Sequence, residues 1–484
     1  MRVCDRPKAK WYILCIFENN LTIYHLQSII ATLKAVNYDL FTDLYFKPKL
    51  HAMLIEFSVG NYRSFKEQVT FSMVAANLVA QNKKLDENNV FEVDDNLQLL
   101  KSAAIYGANA SGKSNLAKAL DFMKWFMVNS SKETQSTEKI NIERFQLSTE
   151  TEKKPSFFEI VFLMNGNKYR YGFEATRDLV VSEWLFYVPK LKETKLFERK
   201  LDKFSVSKTY KADGIQEKTR HNALFLSVSA QFNVKIAEEI LDLLTNRVNV
   251  VSGLEDGNYQ GYTLSCLRKN KNKDEIIQLL KKLDLGFSNI KIEEIIEESE
   301  ITIDSWPRKL PDEQKNFVLT NMVRRFSLVK TMHQKFDAEG NPVSTELFDL
   351  EHQESEGTQK VFVLVGLLVD TLKDGKILII DEFDARIHPL ISRAIVKLFN
   401  SHETNSSNAQ LIFMTHDTNL LSNKLFRRDQ IWFTEKNRYG ATDLYSLAEY
   451  KIPEDASYES DYIKGRYGAI PYIGSLNHLI DSDA

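Results

Sequence analysis

Cysteine is scarce in this chain. There are three, Cys4, Cys15 and Cys266. They have no metal-ligand spacing and cannot build a disulfide framework, which excludes a small zinc module or a disulfide scaffold and suits a reducing cytoplasm. Long apolar runs are missing too. None approaches the roughly 18 residues that cross a bilayer. The short apolar run near the N-terminus is followed directly by Glu18 and two asparagines, which does not fit a secretion signal. The expectation is a soluble cytoplasmic protein with no membrane partner. An excess of one charge is also absent. The net charge of −3 excludes a uniformly basic nucleic-acid-binding surface and leaves local basic patches open. There is no internal repeat, and no heptad pattern lasts the three or four heptads a long coiled coil needs.

What is present is ordinary globular material. The 484 residues are 43% hydrophobic and 27% charged, enough for two or three domains. Residues 1–52 hold two weakly apolar segments ahead of Met53, where a strong strand pattern begins (MLIEFSVGNYRSF). They read either as a segment upstream of the natural start or as a helical appendage. Residues 53–73 read as two strands around a turn, and 156–210 as β-rich, with Asn165-Gly166 marking a hairpin. Ser102 to Tyr106 is a buried strand and Lys113 to Asn129 a helix. Amphipathic helices are expected over 229–246 and 273–285, and mixed strand and loop over 286–350. From about 356, helices 357–373 and 389–400 alternate with buried strands 376–380, 410–415 and 430–433, which implies a parallel sheet with helices on its faces. The expected division is 1–52 extension, 53–215 first lobe with a β subdomain, 216–350 helical and mixed insertion, and 351–484 second lobe.

The sharpest motif is Gly107-Ala108-Asn109-Ala110-Ser111-Gly112-Lys113-Ser114. Four residues separate the glycines, Lys-Ser follows, and the stretch joins a strand to a helix, as a P-loop requires. Backbone N–H groups there and at the helix start would cradle phosphate. Lys113 would reach the β/γ-phosphates and Ser114 would ligate Mg²⁺. The alternative is a glycine turn beside a surface lysine. ILIIDEFD (377–384) is an apolar strand ending in acids. Asp381 is placed to hold Mg²⁺, and Glu382 to position and polarise the attacking water. Thr415-His416 closes another buried strand, and His416 is a candidate γ-phosphate contact rather than a structural histidine. HQESEGTQK sets Ser355 and Gly357 at a helix start. That is either a phosphate contact or a plain N-cap with Glu356 in the first turn.

The order of P-loop, Ser-x-Gly signature, Asp-Glu strand and switch histidine resembles the ABC-type ATPase head of the SMC/RecF class. NYRSF (61–65) and GKSN (112–115, adding Asn115 to the loop) fit the same pattern. GANASGKSNLAKAL, NALFLS, DEFDARIHP, DQIWFTEK and YIKGRYGAIPYIG resemble more closely the bacterial ATP-binding proteins of anti-phage operons, of RloA, abortive-infection and PARIS type. The match runs from Met53 nearly to the end. It implies an α/β P-loop head with a mostly parallel sheet, an antiparallel β lobe and a helical insertion, binding ATP and Mg²⁺. It also implies a homodimer or higher oligomer in which ATP is sandwiched between heads, so Ser355 and Gly357 would complete a partner's site. Asp384 falls at the dimer-contacting D-loop, Arg63 near the nucleotide, and Gln146 is the candidate Mg²⁺-sensing glutamine. The class commonly has Leu before the serine, where this chain has Glu354.

The implied function is an ATP-hydrolysing sensor and regulator in phage defence. Too little chain follows His416 for a Toprim domain with its own core, so a separately encoded effector (Toprim, HNH or another toxin) would act, released by a DNA or phage-protein trigger. A RecF-like DNA-repair ATPase and a slow nucleotide-gated scaffold that holds an effector off are the alternatives.

Overall fold

The computed structural model describes residues 52–78, 83–189, 192–254, 257–297, 324–453 and 456–474, all within one compact unit. Of the expected extension, 1–52, only Ala52 is among them, opening the strand Ala52–Gly60, and the rest lies outside.

The apolar stretches that alternate with helices form one six-stranded sheet. Its spatial order is Val248–Ser252, Ile377–Asp381, Gln410–Met414, Ser102–Tyr106, Ile431–Lys436 and Thr442–Ser446. The first five are parallel and the last pairs antiparallel with its neighbour. These strands are apolar on both faces because both faces are covered. Successive side chains point to opposite sides. Ile377, Ile379, Ile412, Met414, Ala103 and Ile105 therefore join the core that holds the helix Lys113–Asn129. Leu378, Ile380, Leu411, Phe413, Ala104 and Tyr106 join the core of helices Glu356–Asp374 and Pro389–Phe399.

The β-rich stretch makes a separate seven-stranded antiparallel sheet. Its order is Lys203–Val206, Thr194–Lys200, Val180–Val188, Asn167–Ala175, Ser156–Met164, Ala52–Gly60 and Val69–Ser72. Asn165 and Gly166 both have positive φ, 52° and 77°, the geometry that lets a two-residue turn match the strand twist. The two sheets are tied by one buried amide. Gln410 accepts from Leu54 N–H at 2.7 Å and donates to Leu54 carbonyl at 3.0 Å, beside a bulge in the Ala52–Gly60 strand.

The helix Glu356–Asp374 is buried on two sides. Leu364, Leu367 and Leu368 face the parallel sheet. Val361, Phe362, Val365 and Val369 pack with Cys266, Leu267, Ile276 and Leu280 of helices Gly257–Arg268 and Lys273–Lys282. A helix apolar nearly all round is expected to be enclosed. A three-stranded antiparallel sheet, Asn289–Glu297, Arg324–Phe336 and Pro342–Asp349, completes this region.

Two sequence expectations differ from the structure. The helix expected over 229–246 is two helices, Phe225–Gln231 and Lys235–Arg247. The chain breaks at Asn233, whose φ of 61° is a left-handed conformation that asparagine tolerates better than most residues. The stretch 216–350, expected as an insertion, also supplies Val248–Ser252, the edge strand of the parallel sheet, in register with Ile377–Asp381. VNVVS is too short and too interrupted by asparagine to announce a buried strand.

Candidate functional site

Parallel strands that end on one side of a sheet deliver the residues following each of them to the same edge. Here Tyr106 leads into Gly107–Ser114, Asp381 into Glu382–Asp384, Met414 into Thr415-His416, and Lys436 ends its own strand. An open pocket of about 580 Å³ lies there. It is lined by Asn109 to Asn115, Glu382, Asp384, Ala385, His416 and Lys436.

The loop bends because two positions lack a side chain. A Cβ on Gly107 would come within 2.5 Å of Thr434 carbonyl, and one on Gly112, at φ 118°, within 2.4 Å of Thr442 Oγ1. Ala110 takes the left-handed conformation at φ 62°. Buried hydroxyls fix the rest. Ser111 Oγ is 2.7 Å from Thr434 Oγ1, and Thr442 donates to Ser111 carbonyl at 2.7 Å. Asn115 donates to Ser64 Oγ at 2.7 Å, and Ser64 Oγ is 2.8 Å from Thr442 Oγ1.

Lys113 Nζ donates to the carbonyls of Gly107 at 2.8 Å and Ala108 at 3.1 Å. Burial pulls its ammonium down to about 8, against the opposing pull of Asp381, Asp384 and Glu382. Ser114 Oγ donates to Asp381 Oδ1 at 3.1 Å. A hydroxyl beside a carboxylate is the hard-oxygen pair that Mg²⁺ takes from a protein when phosphates and water supply its other ligands. His416 N–H points at the Asp384 carboxylate, at 3.2 and 3.4 Å. Burial, and then the Lys113 charge, lower the imidazole's affinity for a proton. Glu382 has φ 54°, a left-handed backbone that costs a non-glycine residue about 1–2 kcal/mol.

The signature residues stand elsewhere. Ser355 caps the helix Glu356–Asp374, its Oγ accepting from Thr358 N–H at 3.1 Å. Ser355 and Gly357 do not line the pocket of their own chain. Gly357 sits where a Cβ would meet Arg386 carbonyl at 2.9 Å, so the signature packs on the segment that follows Asp384. Glu354 has its own partners. It bonds His333 Nε2 at 2.6 Å and accepts from the Thr331 hydroxyl, both on the strand Arg324–Phe336, and His333 stacks on Phe348. A leucine there would remove the acceptor that Thr331 and His333 share, leaving them each other at 3.1 Å and the Phe348 carbonyl at 3.4 Å.

Arg63 and Gln146 are not among the pocket's lining residues. Arg63 is held by an ion pair with Glu143 and lies 5.8 Å from the Tyr62 ring centre, and Gln146 is exposed. It is the neighbouring Ser64 of NYRSF that touches the loop. Lys436, Thr434 and Thr442 were also missed. The first two lie within the quoted DQIWFTEK, and Thr442 carries no local signal.

Among the described residues no helix is long and apolar enough to cross a membrane, and no cluster of three or more His, Cys, Asp or Glu could hold a metal by itself. No curated protein matches the chain. Solved structures that align with it include an SMC head domain from Thermotoga maritima (13% identity, 83% of this chain and 100% of that one, TM-score 0.36). Another is an SMC head with an extended coiled coil bound to the C-terminal domain of ScpA, derived from Pyrococcus furiosus (11%, 86% and 99%, 0.35). A third is the recombination mediator RecF with ATP (14%, 83% and 100%, 0.32). A family profile described as "AAA domain, putative AbiEii toxin, Type IV TA system" matches residues 102–422, from the strand before the P-loop to just past His416. With well over half of its 484 residues inside that match, the chain belongs to this family of AAA-domain proteins.

Proposed function

We propose that the chain binds and hydrolyses Mg²⁺-ATP between two heads, and through that cycle controls a separately encoded effector in defence against phage, in the cytoplasm. One observation carries the ATPase reading. Lys113, the Ser114–Asp381 pair, Glu382 and His416 come from three separate stretches and meet at one edge of the sheet. In this reading the loop amides and Lys113 bind the β- and γ-phosphates, and Ser114 and Asp381 hold Mg²⁺, which would offset phosphate charge. Glu382 orients the attacking water and accepts its proton, and His416 contacts the γ-phosphate. Ser355 and Gly357 of the second head, with Asp384 at the interface, complete the site. The mention of a type IV toxin-antitoxin system in the family's description favours the defence role over DNA repair.

Replacing Glu382 with Gln keeps the shape and removes the base. Loss of a well-placed transition-state group costs about 10²–10³-fold in rate. The expected result is unchanged ATP affinity, turnover lower by that factor, and a persistent ATP-bound dimer. Turnover at the native rate would remove Glu382 from the mechanism.

A further inference from the structure

Gly253 follows the edge strand Val248–Ser252, in a stretch with no recognisable motif. Its N–H donates to Asp381 carbonyl at 2.6 Å. Its φ is not in the left-handed region, so backbone freedom does not explain a glycine here. Space does. A Cβ would stand 2.0 Å from Glu382 carbonyl oxygen, 2.8 Å from its carbonyl carbon and 2.9 Å from Asp381 carbonyl oxygen. All three atoms are backbone and cannot rotate away as a flexible side-chain end would. On the other side, Phe383 N–H donates to Met414 carbonyl at 3.0 Å, and Ala385 N–H donates to Glu382 carbonyl at 3.1 Å. The peptide after Asp381 is gripped from both flanking strands. Between those grips Glu382 holds φ 54°.

We propose that Gly253 is a positioning residue for hydrolysis: its lack of a side chain lets the edge strand close on the Asp381–Glu382 backbone and lock Glu382 in the left-handed turn that aims its carboxylate into the pocket. This rests on the role given to Glu382 above. Any side chain at 253 must push the Glu382 carbonyl aside and rotate the residue. The three atoms nearest a Cβ here belong to Asp381 and Glu382 and none to the P-loop, so the phosphate-cradling amides and Lys113 stay in place.

The test is Gly253→Ala in the full chain, alone and combined with Glu382→Gln. Gly253→Ala should bind ATP with native affinity and turn it over about 10²-fold more slowly, the loss associated with roughly 1 Å of misplacement. In the Glu382→Gln background it should reduce turnover no further, because the group it misplaces is already gone. A merely structural lesion would add its loss in both backgrounds. Native turnover by Gly253→Ala, or a full additional loss on top of Glu382→Gln, overturns the proposal. If Glu382→Gln itself turns over normally, the reading of Glu382 fails instead, so the two failures are distinguishable. A second pair of variants keeps the proposal open to refutation should Gly253→Ala fold poorly. With residue 382 locked left-handed, Glu382→Gly should melt at a higher temperature than Glu382→Ala, although glycine elsewhere lowers stability. The reverse order of melting temperatures overturns it.

Discussion

Two of the helices that begin at a glycine-containing polar stretch begin very differently. The helix Lys113–Asn129 has no side-chain cap. Its start is buried and walled by Ser64, Thr434 and Thr442, so its free N–H groups face a pocket that the chain builds alone. The helix Glu356–Asp374 starts in the open. Ser355 is exposed, its hydroxyl satisfies Thr358 N–H, and Glu354 anchors the approach to the three-stranded sheet. A helix start is an anion site in either case. The first is walled in by its own chain and the second lies on the surface, and in the proposed reading a second copy brings that surface a phosphate.

The largest break in that comparison should come at the walled-in half. Lys113→Ala removes the only lysine ammonium that bonds the loop itself, among the described residues. Losing a charged partner of buried phosphates costs about 3 kcal/mol, on the order of 10²-fold in Kd, measurable by calorimetry. The same lysine gives a pH signature. Its proton affinity in the free protein is pulled down to about 8, and polyphosphate charge would raise it. ATP binding above pH 8 should therefore take up a proton, seen as an enthalpy that depends on buffer ionisation, and affinity should fall as pH rises through and beyond 8. Lys113→Ala should abolish the proton uptake.

At the open half, Ser355→Asp separates capping from phosphate contact. Aspartate caps a helix as well as serine does, so the melting temperature should hold. A carboxylate against a γ-phosphate is repelled, so ATP-driven dimerisation should be lost while ATP binding by the single chain stays native. Dimerisation as strong as in the native protein would leave Ser355 as a cap only. A smaller effect is expected at Glu354. Leucine there removes the bonds to Thr331 and His333, worth about 1.5–3 kcal/mol for a charged hydrogen-bonding group. Thermal unfolding should show that loss, with a weaker ATP-driven dimer, and Glu354→Gln should recover part of both.

The walled-in half was legible in the sequence because a P-loop is local: spacing, strand and helix lie within Ser102 to Asn129, and the structure places each element where the pattern puts it. The acidic strand and His416 were legible for the same reason, as residues at the ends of apolar runs. What was not legible came from pairings distant in sequence. Thr442 reaches Ser64 and Ser111 across the fold, and nothing in its neighbourhood marks it. Gly253 looks like any turn glycine until the strand Val248–Ser252 is laid beside Ile377–Asp381. The polar Glu354 is explained by Thr331 and His333, which precede it by about twenty residues on a strand the sequence left unresolved between sheet and loop.

The central claim is that each open signature completes the pocket of another copy, and mixing two disabled chains tests it most directly. Lys113→Ala has a ruined P-loop and an intact signature, and Ser355→Asp the opposite. Each alone should be nearly inactive. A mixed dimer holds one site with both lesions and one site with neither, so mixing should restore ATP turnover, up to about half of a native dimer's rate if the sites act independently, together with ATP-dependent heterodimers. Neither turnover nor heterodimer on mixing, from two variants that are each folded, would contradict the account.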